Sequence, residues 1–114
     1  MALVAPDPNV VLIGTGVDWK VVGFDKIKAR AERDWAQSEA SSSEYGWNSI
    51  SRIGSVAFVA AEVTARAKIG GEESVFPWRL SAVLDNREGK WLLCQFHLSA
   101  PATGQTEGES WPTQ

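Results

Sequence analysis

His97 is the one histidine of this chain and Cys94 its one cysteine, and both lie in the apolar run at residues 90–99. Any chemistry that needs an imidazole or a thiol is therefore confined to that run. His97 could act as a general acid or base, because an imidazole titrates at about 6.5, close to neutral pH. It could equally be a buried histidine that donates one hydrogen bond and accepts another. Cys94, among apolar neighbours, reads as inert core filling. One His and one Cys do not make a zinc site, so no metal is expected. A single Cys also excludes an intrachain disulfide, which fits a reducing cytoplasm. The glycines at 14 and 16 lack the following helix and acidic residue of a nucleotide fingerprint, and no other pattern asks for a cofactor.

The element that must position His97 is a β-hairpin. Two strand-like runs, 76–84 and 91–99, flank the polar residues Asn86, Arg87, Glu88 and Gly89. Both runs are apolar at each parity, as expected of strands covered on both faces. A turn closing on 86–89 would pair Asp85 with Lys90. Leu84 would then face Trp91, Ala82 would face Leu93, Leu80 would face Gln95, and Trp78 would face His97, with Ser99 further along. Those residues form the expected ligand-lining set, and Arg79, Ser81, Val83, Leu92, Cys94, Phe96 and Leu98 fall on the other side. A one-residue change of register would mix the two sets.

Upstream, residues 10–14 read as a buried strand. From residue 24 to about 38, Phe24, Ile27, Ala31 and Trp35 recur on one face of a helix, and Lys26, Lys28, Arg30, Glu32, Arg33 and Asp34 read as its solvated charge. Asp25 is expected to cap the helix start, and Ser41–Ser43 to break the helix. Strands are expected at about 45–53 and 56–69. The second of these alternates cleanly, with Val59, Ala61, Val63, Ala65 and Ala67 opposing Ala60, Glu62, Thr64 and Arg66. Asp85 and Glu88 are turn residues, which leaves Glu62 as the acid expected near a cavity. This order gives an α+β fold: a strongly curved antiparallel sheet wrapped around one main helix, enclosing a cone-shaped cavity, with Trp35 buried beneath the helix. Residues 1–101 make the domain, and 102–114 are expected to be a mobile tail with Trp111 as an anchor.

The 114 residues suffice for one domain. Eleven Lys and Arg are scattered among fourteen acids, for a formal charge of −3, so no nucleic-acid partner is expected. No apolar run approaches the roughly 20 residues of a membrane span, and the N-terminus lacks a signal-peptide pattern. Six tryptophans are many for this length. They read as core filler or as the walls of an aromatic pocket.

Four segments carry a family resemblance: residues 5–14 (APDPNVVLIG), Gly23-Phe24-Asp25, Val56-Ala57-Phe58-Val59, and Gly89-Lys90-Trp91 running into Phe96-His97-Leu98-Ser99. Through them, residues 2 to about 101 resemble the nuclear transport factor 2-like superfamily. The chain looks most like its SnoaL-like domains, which are similar to the association domain of calcium/calmodulin-dependent kinase II. The resemblance implies that the Ala82 side of the hairpin is the concave, pocket side. It also implies N-terminal helices closing the cone, of which Ala2-Leu3-Val4 looks like the last turn. The kinase domain lines its pocket with arginines. Ala82, and Ala60, stand at such positions here, so an anion pocket of that kind is not expected. Isomerases and cyclases of the superfamily use an Asp, sometimes with a His or Tyr, and no matching acid is identifiable here.

The expected function is binding of a small, largely apolar ligand by Trp78, Leu80, Ala82, Trp91, Leu93, Gln95, His97 and Ser99, without catalysis. One alternative is an isomerase, cyclase or hydrolase with His97 as general acid or base, and another is an oligomerisation module. A homodimer is expected through the convex sheet face. Val59–Ala67 on one side of the sheet, and Val83, Leu92, Cys94, Phe96 and Leu98 away from the cavity, would leave more apolar surface than one helix can cover.

Overall fold

The computed structural model describes residues 3–37 and 40–113, except for the side chains of Trp35 and Ala40. The expected burial of Trp35 lies outside the described residues. The elements are β1 (Val11–Ile13), β2 (Lys20–Val22), α1 (Phe24–Gln37), β3 (Ala40–Ile53), β4 (Val56–Ile69), β5 (Glu72–Arg87) and β6 (Lys90–Ser99). They form an α+β fold with one six-stranded, curved, unclosed sheet in the order β2-β1-β6-β5-β4-β3. The sheet is not wholly antiparallel, because β1 runs parallel to β6. Most of the chain lies between these two strands, so no tight turn constrains their direction.

α1 starts where Gly23, at φ 94°, turns the chain and accepts the Ile27 N–H at 3.1 Å. Gly23 therefore takes the capping position. Asp25 sits in the first turn instead, where its charge complements the helix dipole. Ile27 is the helix's anchor. It is 3% exposed and belongs to a buried cluster with Ala5, Val10, Val21 and Leu92, against which Val4, Leu12 and Cys94 pack. β3 begins earlier than expected. Ser41, Ser42 and Ser43 lie beyond the end of the helix, and they already pair with Ala67, Arg66 and Ala65. The ladder offered by β4 overrides the weak strand preference of serine.

The hairpin corrects the expected register twice. Its turn is two residues long, Glu88 at φ 55° and Gly89 at φ 84°, so Arg87, not Asp85, pairs with Lys90. Both central residues have positive φ, which matches the right-handed twist of the flanking strands, and the Asn86 side chain accepts the Gly89 N–H at 2.9 Å. Then a bulge intervenes. Leu84 pairs with Leu93 but Val83 pairs with Gln95, leaving Cys94 as an extra residue. Beyond it Ala82 faces Phe96, Ser81 faces His97, Leu80 faces Leu98 and Arg79 faces Ser99. An extra residue transfers every later side chain of β6 to the other side. Trp78, Leu80 and Ala82 thus share their side with Phe96 and Leu98, while Gln95, His97 and Ser99 stand on the opposite side with Val83, Ser81 and Arg79.

The alternation of β4 holds, but its apolar side is the inner one. Ala61, Val63 and Ala65 are buried, and Val59, Ala61, Val63 and Ala65 pair with Ala82, Leu80, Trp78 and Phe76. Phe96 and Leu98 lie on that side too, and Leu92 and Cys94 belong with the Ile27 cluster. Most of the residues expected to make the convex face apolar therefore lie inside, while Val83 stands on the outer face beside Phe58. The outer face instead carries two crossing rows, Ser51–Phe58–Val83–Gln95 and Ser49–Ala60–Ser81–His97.

The helical turn expected at Ala2-Leu3-Val4 rests on Ala2, which lies outside the described residues; Leu3 is in a turn and Val4 enters a bridge. The Ala5 N–H donates to the Leu93 carbonyl at 2.9 Å, the Leu93 N–H donates to the Leu3 carbonyl at 2.7 Å, and Val4 bridges Leu93 in parallel. Arg87 clamps this segment by donating to both oxygens of Asp7, at 3.0 and 2.6 Å, and to Asp85 at 3.0 Å. Those hydrogen bonds hold the Asp7 carboxyl below its ordinary value and raise the guanidinium.

Candidate ligand-binding cleft

Where the end of α1 stands off the inner face of the sheet, a cleft of about 530 Å³ opens. Its floor is Ala65 and Ala67 of β4, Phe76 and Trp78 of β5, and Leu98 of β6. The small alanines give it depth beside large rings. Phe76 and Trp78 are two residues apart on one strand and so project to the same side. Their rings stack, with centroids 5.2 Å apart and planes at 18°.

One wall is Trp19, from the loop between β1 and β2. Its ring lies against that loop because the loop has no side chains beneath it. A Cβ on Gly14 would come within 2.7 Å of the ring, and one on Gly16 within 2.6 Å. The paired glycines are a seat for an indole, which accounts for a spacing that mimics part of a nucleotide fingerprint. The Arg30 guanidinium sits 5.7 Å from the Trp19 ring centroid, within cation–π range.

α1 contributes Asp34 and Gln37, and β3 contributes Ser41, Ser42 and Ser43. Asp34 is tied into a chain of charges along the rim. Arg33 donates to its Oδ1 at 3.1 and 3.0 Å and to Oδ2 of Asp18 at 2.8 Å, while Arg30 donates to the Asp18 carbonyl at 2.6 Å. The bond from Arg33 holds the Asp18 carboxyl below its ordinary value. Among the described residues, Oδ2 of Asp34 receives no hydrogen bond. Arg66 reaches the cleft edge and pairs with Glu73 at 3.5 Å.

Of the residues expected to line one cavity, Trp78 alone lines this cleft. Leu80 and Ala82 share its side but lie nearer the hairpin turn. Trp91 is across from Asn86, with the Arg52 guanidinium 5.1 Å from its ring centroid, and Leu93 bridges Val4. Gln95 and His97 are exposed on the outer face. His97 and Ser99 border a small recess there of about 230 Å³ with Arg79, Leu80 and Ser81. Glu62, expected at the cavity, is exposed and stands opposite Arg79 on that same outer face. Burial pushes the Cys94 thiol up, consistent with inert filler.

Sequence reasoning missed Trp19, Phe76, Leu98 and Asp34. The signal for Asp34 was present, because it is seven residues after Ile27 and so falls on the same helix stripe. A carboxylate there is not part of the solvated face.

A family model described as a SnoaL-like domain matches residues 1–103. Among solved structures, a nuclear transport factor 2-like superfamily protein from Salmonella enterica serovar Typhimurium LT2 is similar, with a TM-score of 0.80 at 17% identity, over 96% of this chain and 79% of that one. A structure named for the calcium/calmodulin dependent protein kinase II association domain, from Xanthomonas campestris, gives a TM-score of 0.79 at 23% identity, over 90% and 71%. One named as a scytalone dehydratase, from Novosphingobium aromaticivorans, gives 0.75 at 17%, over 93% and 78%. At these identities the likeness shows the fold. Among functionally curated proteins none matches.

Proposed function

The chain belongs to the SnoaL-like domain family, and from that premise we propose that it binds a small, mainly apolar molecule in the cleft between α1 and the sheet. The observation that carries this reading is the convergence of Trp19, Phe76, Trp78 and Leu98 over a floor of alanines. At about 530 Å³ the cleft lies within the roughly 300–1,000 Å³ common for small-molecule sites. The reading is binding and not catalysis by His97, since the one imidazole of the chain stands across the sheet from the cleft. Titration calorimetry with a neutral naphthalene probe tests it. Saturable binding is expected, and Trp78→Ala should weaken it about tenfold, the loss of one well-buried aromatic contact. No saturable binding, or equal affinity in Trp78→Ala and Phe76→Ala proteins, would overturn the assignment.

We also propose that the chain pairs with a second copy through the outer sheet face. Glu62 and Arg79 support this. They are exposed, directly opposite in register, and without an ion pair among the described residues. A two-fold arrangement sets each charge against its opposite on the other copy. The small side chains of Ser49, Ala60 and Ser81 let two sheets approach, and Phe58, 45% exposed, gains cover. In sedimentation experiments Glu62→Arg and Arg79→Glu should each weaken the dimer, and the double exchange should restore it. A wild-type chain that stays monomeric across micromolar concentrations, or a double exchange as weak as the singles, would refute the arrangement.

A further inference from the structure

We propose that the ligand is an organic cation, an ammonium group carried on an apolar body. This rests on the reading of the cleft as a binding site and adds the charge of what binds. Three rings line the cleft, those of Trp19, Phe76 and Trp78. The electron-rich face of an aromatic ring attracts a cation within about 6 Å, and grouped rings are a recurrent receptor for alkylammonium groups. Trp19 already holds one cation in this way, the Arg30 guanidinium.

The carboxylate supplies the second half of the argument. Asp34 lines the cleft with one oxygen bonded by Arg33 and the other unbonded among the described residues. A neutral hydrocarbon filling the cleft would strip water from that oxygen and give nothing back, which is unfavourable for a charged acceptor. An ammonium group offers the missing partner. The basic groups nearby do not reverse this. Arg33 and Arg30 lie outside the cleft lining, and Arg66 at its edge is paired with Glu73. An anionic ligand would meet an acid and no unpaired base. Gln37 and the hydroxyls of Ser41 and Ser43 can accept further N–H donors.

Three probes of matched shape separate the possibilities: benzylammonium, its neutral isostere ethylbenzene, and the anion phenylacetate. Each is titrated into the wild-type chain and into Asp34→Asn, which keeps an acceptor for Arg33. The ammonium should bind about tenfold more tightly than the hydrocarbon, and phenylacetate least. Asp34→Asn should abolish the preference, weakening the ammonium while the hydrocarbon binds no less tightly, so the ratio within one protein controls for folding. If the hydrocarbon binds as well as the ammonium, or Asp34→Asn leaves the preference intact, the cation is overturned. The cleft itself then still stands wherever Trp78→Ala weakens both probes. Preferred binding of phenylacetate overturns it equally, and binding of none of the three removes the cleft and the cation together.

Discussion

Replacing Ile27 with Ala should lower the unfolding free energy by roughly 2–5 kcal/mol, the range for truncating a buried aliphatic side chain. Ile27 is 3% exposed and joins α1 to Val10, Val21 and Leu92, so its loss opens a cavity at the junction of helix and sheet. Among the described residues, the polar side-chain ties of α1 to the rest of the chain include the ion pairs of Arg30 and Arg33 with Asp18, which are partly exposed. Such pairs contribute about 0–1 kcal/mol each and cannot compensate. Against a total stability of about 5–15 kcal/mol, the loss is a large fraction. Urea denaturation of Ile27→Ala beside the exposed control Lys28→Ala measures it, with the control expected within about 0.5 kcal/mol of wild type. A loss below about 1 kcal/mol for Ile27→Ala would mean that the helix is anchored elsewhere.

Inserting one alanine between Gln95 and Phe96 should be more damaging than any change at Cys94. With the bulge kept, continuous pairing with β5 would turn Phe96 and Leu98 outward and bring His97 and Ser99 to the inner side. Exposing an apolar side chain of that size costs about 1.5–3 kcal/mol, and burying an unpaired polar one about 1–3 kcal/mol. Two of each approach the whole stability of a small domain, so the expected result is loss of the cooperative thermal transition. Deleting Cys94 instead leaves Leu93, Gln95 and Phe96 against Leu84, Val83 and Ala82, their present partners, and should be far milder. An insertion variant that melts like wild type would show that the inner positions of Phe96 and Leu98 do not hold the register of β6.

Much of this architecture was legible in the residues. The Phe24–Ile27–Ala31 stripe located the helix, the alternation in Val59–Ala67 located β4, and the family resemblance pointed to the fold now shown by the family match. The site was less legible, for physical reasons. Alternation reports which residues share a side but not which side is covered, so the apolar face of β4 was placed outward. The two-residue turn was hidden because Glu88, unlike Asn or Gly, rarely takes positive φ. The bulge has no sequence signature, since Cys94 looks like any apolar strand residue. That one position carried His97 away from Trp78. β2 is three residues long, too short to register as a period. Trp19 could be joined to Trp78 in one cleft only after the sheet order was known, because about half the chain separates them.

The last strand of the sheet bears on how the chain behaves in company. β3 presents its far edge to solvent over fourteen residues, with Tyr45, Ile50 and Ile53 exposed. An uninterrupted edge of that kind is a template for self-propagating strand addition. Here the ladder breaks at Gly46 and Trp47, which together oppose the single Glu62, so pairing resumes only at Asn48. What remains is two short stretches, one with Glu44 and the other with Arg52, each a charge that a stacked copy would have to set against its own kind. The irregularity that bends β3 thus also guards the chain's colloidal stability, by denying an incoming strand a straight run long enough to grow on.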